Sequence, residues 1–373
     1  MQIQVALPIE QTAIFSLILI AIILIFVKKE KKDSFFPVAI TNELKGFAIL
    51  AIIFSHIGYF LAADTRFLYP LSILAGVGVN LFLFLSGYGL TISLTKKKLT
   101  IKEFYKKRLV KLFLPLWLII SVFFTLDYFW LKITYPLATI SQSFFGYFPK
   151  ADIFQSLDSP LWYFTLILFY YLIFPLVFFK KNPGFSAGLI LLISYSVLKL
   201  NLPIAQDVLK LYQLHLWAFP LGVLFAAGFF HSSFLKKLVP TSLEKILYRL
   251  GHFKLPGRII SIIILSLVVA YTAIHSGIGG KIIVEQSISL ITMFCLVLIF
   301  IIKKIEFRIF SLFGIYSYEI YLIHWPILYR YDIFYKFLPA FLATLLYLIL
   351  FLLLGFGLKK IQDWFNKKIH LLN

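Results

Sequence analysis

Leu345-Leu-Tyr-Leu-Ile-Leu-Phe-Leu-Leu-Leu354 is a run of ten apolar residues without a charge. A strand of a closed membrane barrel alternates between lipid-facing and lumen-facing residues with period two, and this run does not alternate. A helix satisfies its backbone polar groups within the segment, which hydrocarbon demands. Leu17 to Val27 reads the same way. Working outward, the apolar stretch extends over 337–358, about the 20 residues a helix needs to cross a bilayer at roughly 1.5 Å per residue. Ten more stretches have this character, at 6–27, 40–62, 70–94, 110–130, 159–179, 185–199, 212–230, 259–275, 282–302 and 309–329. The whole chain agrees: 61% of its 373 residues are hydrophobic, 14% are charged and the mean hydropathy is +0.93. Soluble chains carry roughly 45–50% apolar and about 25% charged residues. A soluble enzyme, a nucleic-acid module, a disordered tail and a coiled coil are thereby excluded. The expected fold is all-α, a polytopic integral membrane bundle of about eleven spans whose first partner is the lipid bilayer.

The net charge of +20 is a matter of placement. With the first terminus outside, 27 of the 36 Lys and Arg residues fall on the connections that are then cytoplasmic, eight on the outer ones, and Lys45 lies within a span. Short cytoplasmic loops accumulate Lys and Arg, so the N-terminus is expected outside and the C-terminus in the cytoplasm of a multi-pass cell-membrane protein. Residues 1–39 then form one transmembrane helix and a basic cytoplasmic linker, 40–358 the main membrane domain, and 359–373 a basic cytoplasmic tail. Met1–Glu10 has no basic n-region and no cleavage site precedes Lys28, so the first span is expected to be retained. The single cysteine, Cys295, provides neither a disulfide nor a thiolate metal site, and no carboxylate-rich metal cluster or phosphate loop occurs; no metal is expected.

Ionisable groups inside spans are costly and are functional candidates by default. Lys45 and His56 are eleven residues apart, within about 20° of a whole number of helical turns and about 16 Å apart along the axis. They share one helix face, although Lys45 can also snorkel to the headgroups and His56 can satisfy a carbonyl. In 76–89, Gly-Val-Gly-Val-Asn80-Leu-Phe-Leu-Phe-Leu-Ser86-Gly-Tyr-Gly, the small residues permit close helix approach, and Asn80 and Ser86 can hydrogen-bond across it. Lys106, Lys107, Arg108 and Lys111 gather where a helix enters the membrane, as a lipid anchor or as a grip on a phosphorylated ligand. Glu319 and His324 share one span but lie roughly 140° apart, so a straight helix cannot aim both at one ligand; Glu319 is expected to orient backbone or aromatic partners. Trp162 and its aromatic neighbours read as an interfacial belt.

In this order the segments resemble the membrane acyltransferase-3 family. Lys45 and His56 match its basic-x10-His signature, and Gly78-Val-Asn-Leu-Phe-Leu-Phe-Leu-Ser-Gly-Tyr88 matches its Gly-Val-x-Leu-Phe-Phe-x-Leu-Ser-Gly-Phe/Tyr segment. Lys106–Trp117 is similar to its basic stretch running into Pro-x-Trp, and Tyr316–Pro326 to its Ser-Tyr-x-Ile-Tyr-Leu-x-His-x-Pro run. Asn80 stands where many members carry Asp, and the helix before residue 40 is additional to the family's ten-helix core. The resemblance implies a membrane-bound O-acyltransferase that moves acetyl from cytoplasmic acetyl-CoA to a hydroxyl of an extracytoplasmic, cell-envelope or exported polysaccharide. It implies His56 as general base or acyl-accepting nucleophile, Lys45 holding the donor or stabilising negative charge near the inner end, and Arg108, Lys107 and Lys111 on coenzyme A phosphates. Asn80, Ser86, Glu319, His324 and Trp162 are further candidates. The outer loop from Leu131 to Ser159, with Asp152 and Asp158, is the candidate for glycan contact. A separate extracytoplasmic esterase-like partner could complete the transfer. Two other classes stay open: a glycan exporter or flippase, and a non-catalytic subunit of an envelope polysaccharide synthesis complex.

Overall fold

The computed structural model describes residues 2–29, 36–96, 100–151, 159–200, 202, 208–229, 255–276 and 281–368. The chain is an all-α membrane bundle. Its helices are α1 (Pro8–Ile25), α2 (Val38–Ser55), α3 (Ala75–Lys96), α4 (Ile101–Leu126), α5 (Leu137–Phe144), α6 (Trp162–Val177) and α7 (Pro183–Lys199). They continue with α8 (Leu209–Leu214), α9 (Ala218–Phe229), α10 (Leu255–Ile274), α11 (Ile282–Ile302), α12 (Arg308–Ile315), α13 (Ser317–Arg330) and α14 (Ala340–Lys368). Among the described residues eight helical stretches are long and apolar enough to cross a membrane, α8 and α9 counting as one, while α6 and α7 are shorter.

Three expected spans differ in outline. The stretch 309–329 is two helices, α12 and α13, broken at Tyr316. The fourth span begins at Ile101, nine residues before its apolar part, because Thr100 and Glu103 form a reciprocal capping box; the basic cluster is therefore helical. The last span runs on to Lys368, so the first two thirds of the expected tail continue α14.

Close backbone packing sets α2 in place. A Cβ on Gly46 would stand 1.8 Å from the Phe310 carbonyl oxygen, and one on Gly314 1.8 Å from that of Asn42, so α2 and α12 meet through two reciprocal glycines. Gly87 and Gly222 do the same for α3 and α9, at 2.3 and 2.0 Å from Phe219 and Phe84 oxygens. Without a hydrophobic drive between helices in lipid, such small-residue contacts supply the van der Waals packing. A two-stranded antiparallel ribbon joins β1 (Val27–Lys29) to β2 (Ile305–Phe307), with Lys28 opposite Glu306. It ties the linker after α1 to the turn between α11 and α12. Beside it Glu43, fully buried in α2, accepts hydrogen bonds at 2.8 Å on both carboxylate oxygens from Lys303 and at 2.6 Å from the Phe307 amide. Lys303 also donates to the Ile305 carbonyl and lies between the rings of Phe300 and Phe307. At the far end of the bundle the buried carboxylate of Asp127 receives Arg330 at 3.0 Å and the hydroxyls of Tyr331 and Tyr135.

Candidate active site

A cavity of about 590 Å³ lies inside the bundle between α2, α3, α4, α6, α13 and α14, within the rough 300–1,000 Å³ of small-molecule sites. Helical periodicity explains its walls. Along α2 and the turn that continues it the lining residues are Lys45, Ile52 and His56, and along α3 they are Ala75, Gly76, Val79, Phe82 and Ser86, each set on one face.

The two ends differ in chemistry. One is basic: Lys45, Arg108, Lys111 and Lys359 all line it, and Lys45 is within electrostatic reach of Arg108 and Lys359. Their counter-charges here are Glu319, whose carboxylate is 3.7 Å from Lys359, and Asp363. In the same wall the Gln362 side chain turns to Glu319, and Asn366 Oδ1 is buried without a hydrogen-bond partner among the described residues. Four cations against two anions suit a polyanionic ligand. The other end is aromatic, walled by Phe60, Trp162 and Tyr163 together with His215.

His56 stands on the wall between them. Regular α2 ends at Ser55, and His56 opens a π-helical turn, His56–Leu61, a widening of the helix that often accompanies functional sites. Its Nδ1 is 2.8 Å from His324 Nε2, with the two rings stacked 10° from parallel. His324 is fully buried, and its Nδ1 faces the carbonyl oxygens of Tyr321 at 2.8 Å and Ile320 at 3.2 Å. Carbonyls only accept, so Nδ1 of His324 carries the proton and its Nε2 is the acceptor. His56 therefore donates through Nδ1, and its Nε2 keeps a lone pair with no protein partner among the described residues. Backbone carbonyls thus dictate, through one imidazole, the tautomer of the next. Trp325, edge-on at 5.1 Å, fixes the ring from the side.

Of the residues singled out from sequence, Lys45, His56, Ser86, Arg108, Lys111, Trp162 and Glu319 line the cavity. Lys107 does not line it, and His324 reaches it through His56. Asn80 is buried behind the wall, bonded to Ser289 and His215. Glu319 departs from its expected role: it faces the cavity and Lys359 rather than only backbone or rings. Asp152 and Asp158 lie outside the described residues. Sequence reasoning missed Lys359, counted as a topology charge in the tail; its spacing to Gln362 and Asn366, i, i+3 and i+7, was the available signal of one helix face. It also missed His215, which sits between two short helices and follows no apolar period.

The membrane bundle thus places a tautomer-locked imidazole on the wall of a cavity with a basic and an aromatic end. The family model of the acyltransferase domain matches residues 42–360, and the chain belongs to the acyltransferase-3 family. It is thus a membrane acyltransferase. No curated protein and no solved structure matches the chain.

Proposed function

We propose that the protein is an O-acetyltransferase that uses acetyl-CoA, bound at the basic end, to acetylate a hydroxyl of a cell-envelope or exported polysaccharide entering from the aromatic end. The observation that carries this reading is the unpartnered lone pair on His56 Nε2, set by the His324 relay and facing a cavity with an anion-binding end. As the acceptor oxygen bonds to the acyl carbon, its proton passes to His56 Nε2, the carbon–sulfur bond breaks, and that proton can then leave with the thiolate. His56 acts as general base in this scheme, with its Nδ1–H held by His324 while the ring is cationic. Lys45, one helix face and about 16 Å away, sits with Arg108, Lys111 and Lys359 to hold phosphates, so the thioester arm extends along α2 toward His56. The basic end then faces the cytoplasm, in keeping with the excess of Lys and Arg on that set of connections.

The test is transfer of label from radioactive acetyl-CoA to glycan acceptors by the full chain in lipid nanodiscs. His56→Gln is expected to lower kcat by about 10²–10⁴. Arg108→Ala is expected to raise KM for acetyl-CoA with little change in kcat. Wild-type rates in folded His56→Gln would exclude His56 as base, and glycan translocation without covalent transfer would favour an exporter.

A further inference from the structure

The aromatic end of the cavity holds a second imidazole that the scheme above does not use. His215, at the end of α8, is 5% exposed and lines the cavity. Its Nδ1 is 2.7 Å from Asn80 Oδ1, while the Asn80 amide nitrogen donates to Ser289 Oγ at 2.8 Å. An amide oxygen only accepts, so Nδ1 carries the proton and Nε2 a lone pair. That Nε2 has no protein partner among the described residues. Trp162 lies alongside, its ring 17° from parallel with centroids 5.8 Å apart. Residues of α3, α6 and α11 thus hold one ring in one tautomer, with its acceptor atom turned to the cavity.

An acceptor that opens on the cavity with no protein donor among the described residues is available to a ligand hydroxyl. A carboxylate or fully ionised phosphate oxygen cannot donate to it, and the lysines and arginine of the cavity are gathered at the opposite end. The chemistry that fits is a neutral ring with hydroxyl edges and apolar faces: the hydroxyl donates to Nε2 and a face lies against the aromatic wall. We infer that His215, oriented by Asn80 and Ser289 and flanked by Trp162, is the subsite that seats the acceptor carbohydrate and presents its reacting hydroxyl to His56. The subsite rests on the transferase reading given above. His215 is here a binding group, and His56 remains the proton acceptor.

The experiment uses the full chain in nanodiscs with acetyl-CoA as donor and the methyl glycosides of glucose, galactose and N-acetylglucosamine as acceptors. His215→Phe keeps a ring beside Trp162 and removes the lone pair. It is expected to raise KM for the glycoside by about tenfold or more and to leave KM for acetyl-CoA unchanged. His215→Gln, whose amide oxygen can accept the same hydrogen bond, is expected to recover most of that loss. Trp162→Leu, which leaves the Asn80–His215 bond in place, is expected to raise the same constant and decides the matter where His215→Phe does not fold. Unchanged glycoside KM in these variants, or equal rises in both constants, overturns the subsite while the transferase reading stands. Failure of the wild type to acetylate any of the glycosides overturns the transferase reading and the subsite with it.

Discussion

His56 matters less for being a histidine in a membrane than for which of its nitrogens is free. Two backbone carbonyls settle the proton on His324 Nδ1, and that settles the lone pair on His56 Nε2. In the proposed scheme His324 is a positioning residue, and replacing it separates orientation from bulk. His324→Leu removes the acceptor for His56 Nδ1–H and is expected to lower kcat about 10²-fold or more, with KM for acetyl-CoA unchanged. His324→Gln offers an amide oxygen to the same proton and is expected to retain most of the rate. Steady-state kinetics on the two variants check this, and equal losses in both would mean that His324 serves packing alone. The spacing of Lys45 and His56 disclosed a shared face because it is a property of one helix. The His56–His324 contact was not legible, since it joins residues 268 positions apart whose meeting depends on how α2 and α13 pack.

At the scale of elements, the cavity face of α2 is only as well placed as its buried flank. Gly46 admits α12 to backbone contact, and Glu43 is anchored by Lys303 and the Phe307 amide, one helical turn before Gly46. Removing one member of a buried pair leaves the other charge without compensation, at a cost of about 3–5 kcal/mol. Glu43→Gln is accordingly expected to lower the apparent melting temperature of the protein in detergent, and Glu43→Gln with Lys303→Met to recover most of the loss. A thermal-shift measurement on the two proteins checks this, and a double variant as unstable as the single one would show that the pair contributes more than its own neutralisation. Hydropathy located the spans because burial in lipid selects composition over some 20 residues. It did not show the break at Tyr316 or the short helix α8, which leave the average polarity of a window unchanged, nor the extension of α14 to Lys368, where polar residues end the apolar window without ending the helix. Glu43 and Lys303 were likewise invisible as a pair, one lying at the start of a span and the other counted among loop charges.

For the whole molecule, the distribution of charge and the polarity of the cavity share residues: Arg108, Lys111 and Lys359 belong both to the connections rich in Lys and Arg and to the basic end of the cavity. The connections rich in Lys and Arg follow the ends of α1, α3 and α11 and precede α4, and the basic end of the cavity is built from the start of α2, the start of α4 and the end of α14. In the proposed function orientation decides chemistry: a coenzyme A donor requires a cytoplasmic basic end, and an envelope polysaccharide acceptor an outward aromatic end. The single native cysteine makes the orientation measurable. In a Cys295→Ser background, Lys132→Cys in the connection after α4 is expected to react with a membrane-impermeant maleimide in intact cells. Lys181→Cys, in the turn between α6 and α7, is expected to react only after permeabilisation. Both positions are exposed in the structure, so a difference in labelling reports the side of the membrane rather than burial. The opposite pattern would turn Arg108 and Lys359 outward, where no coenzyme A thioester is available, and acetyl-CoA could not then be the donor that reaches His56 along α2.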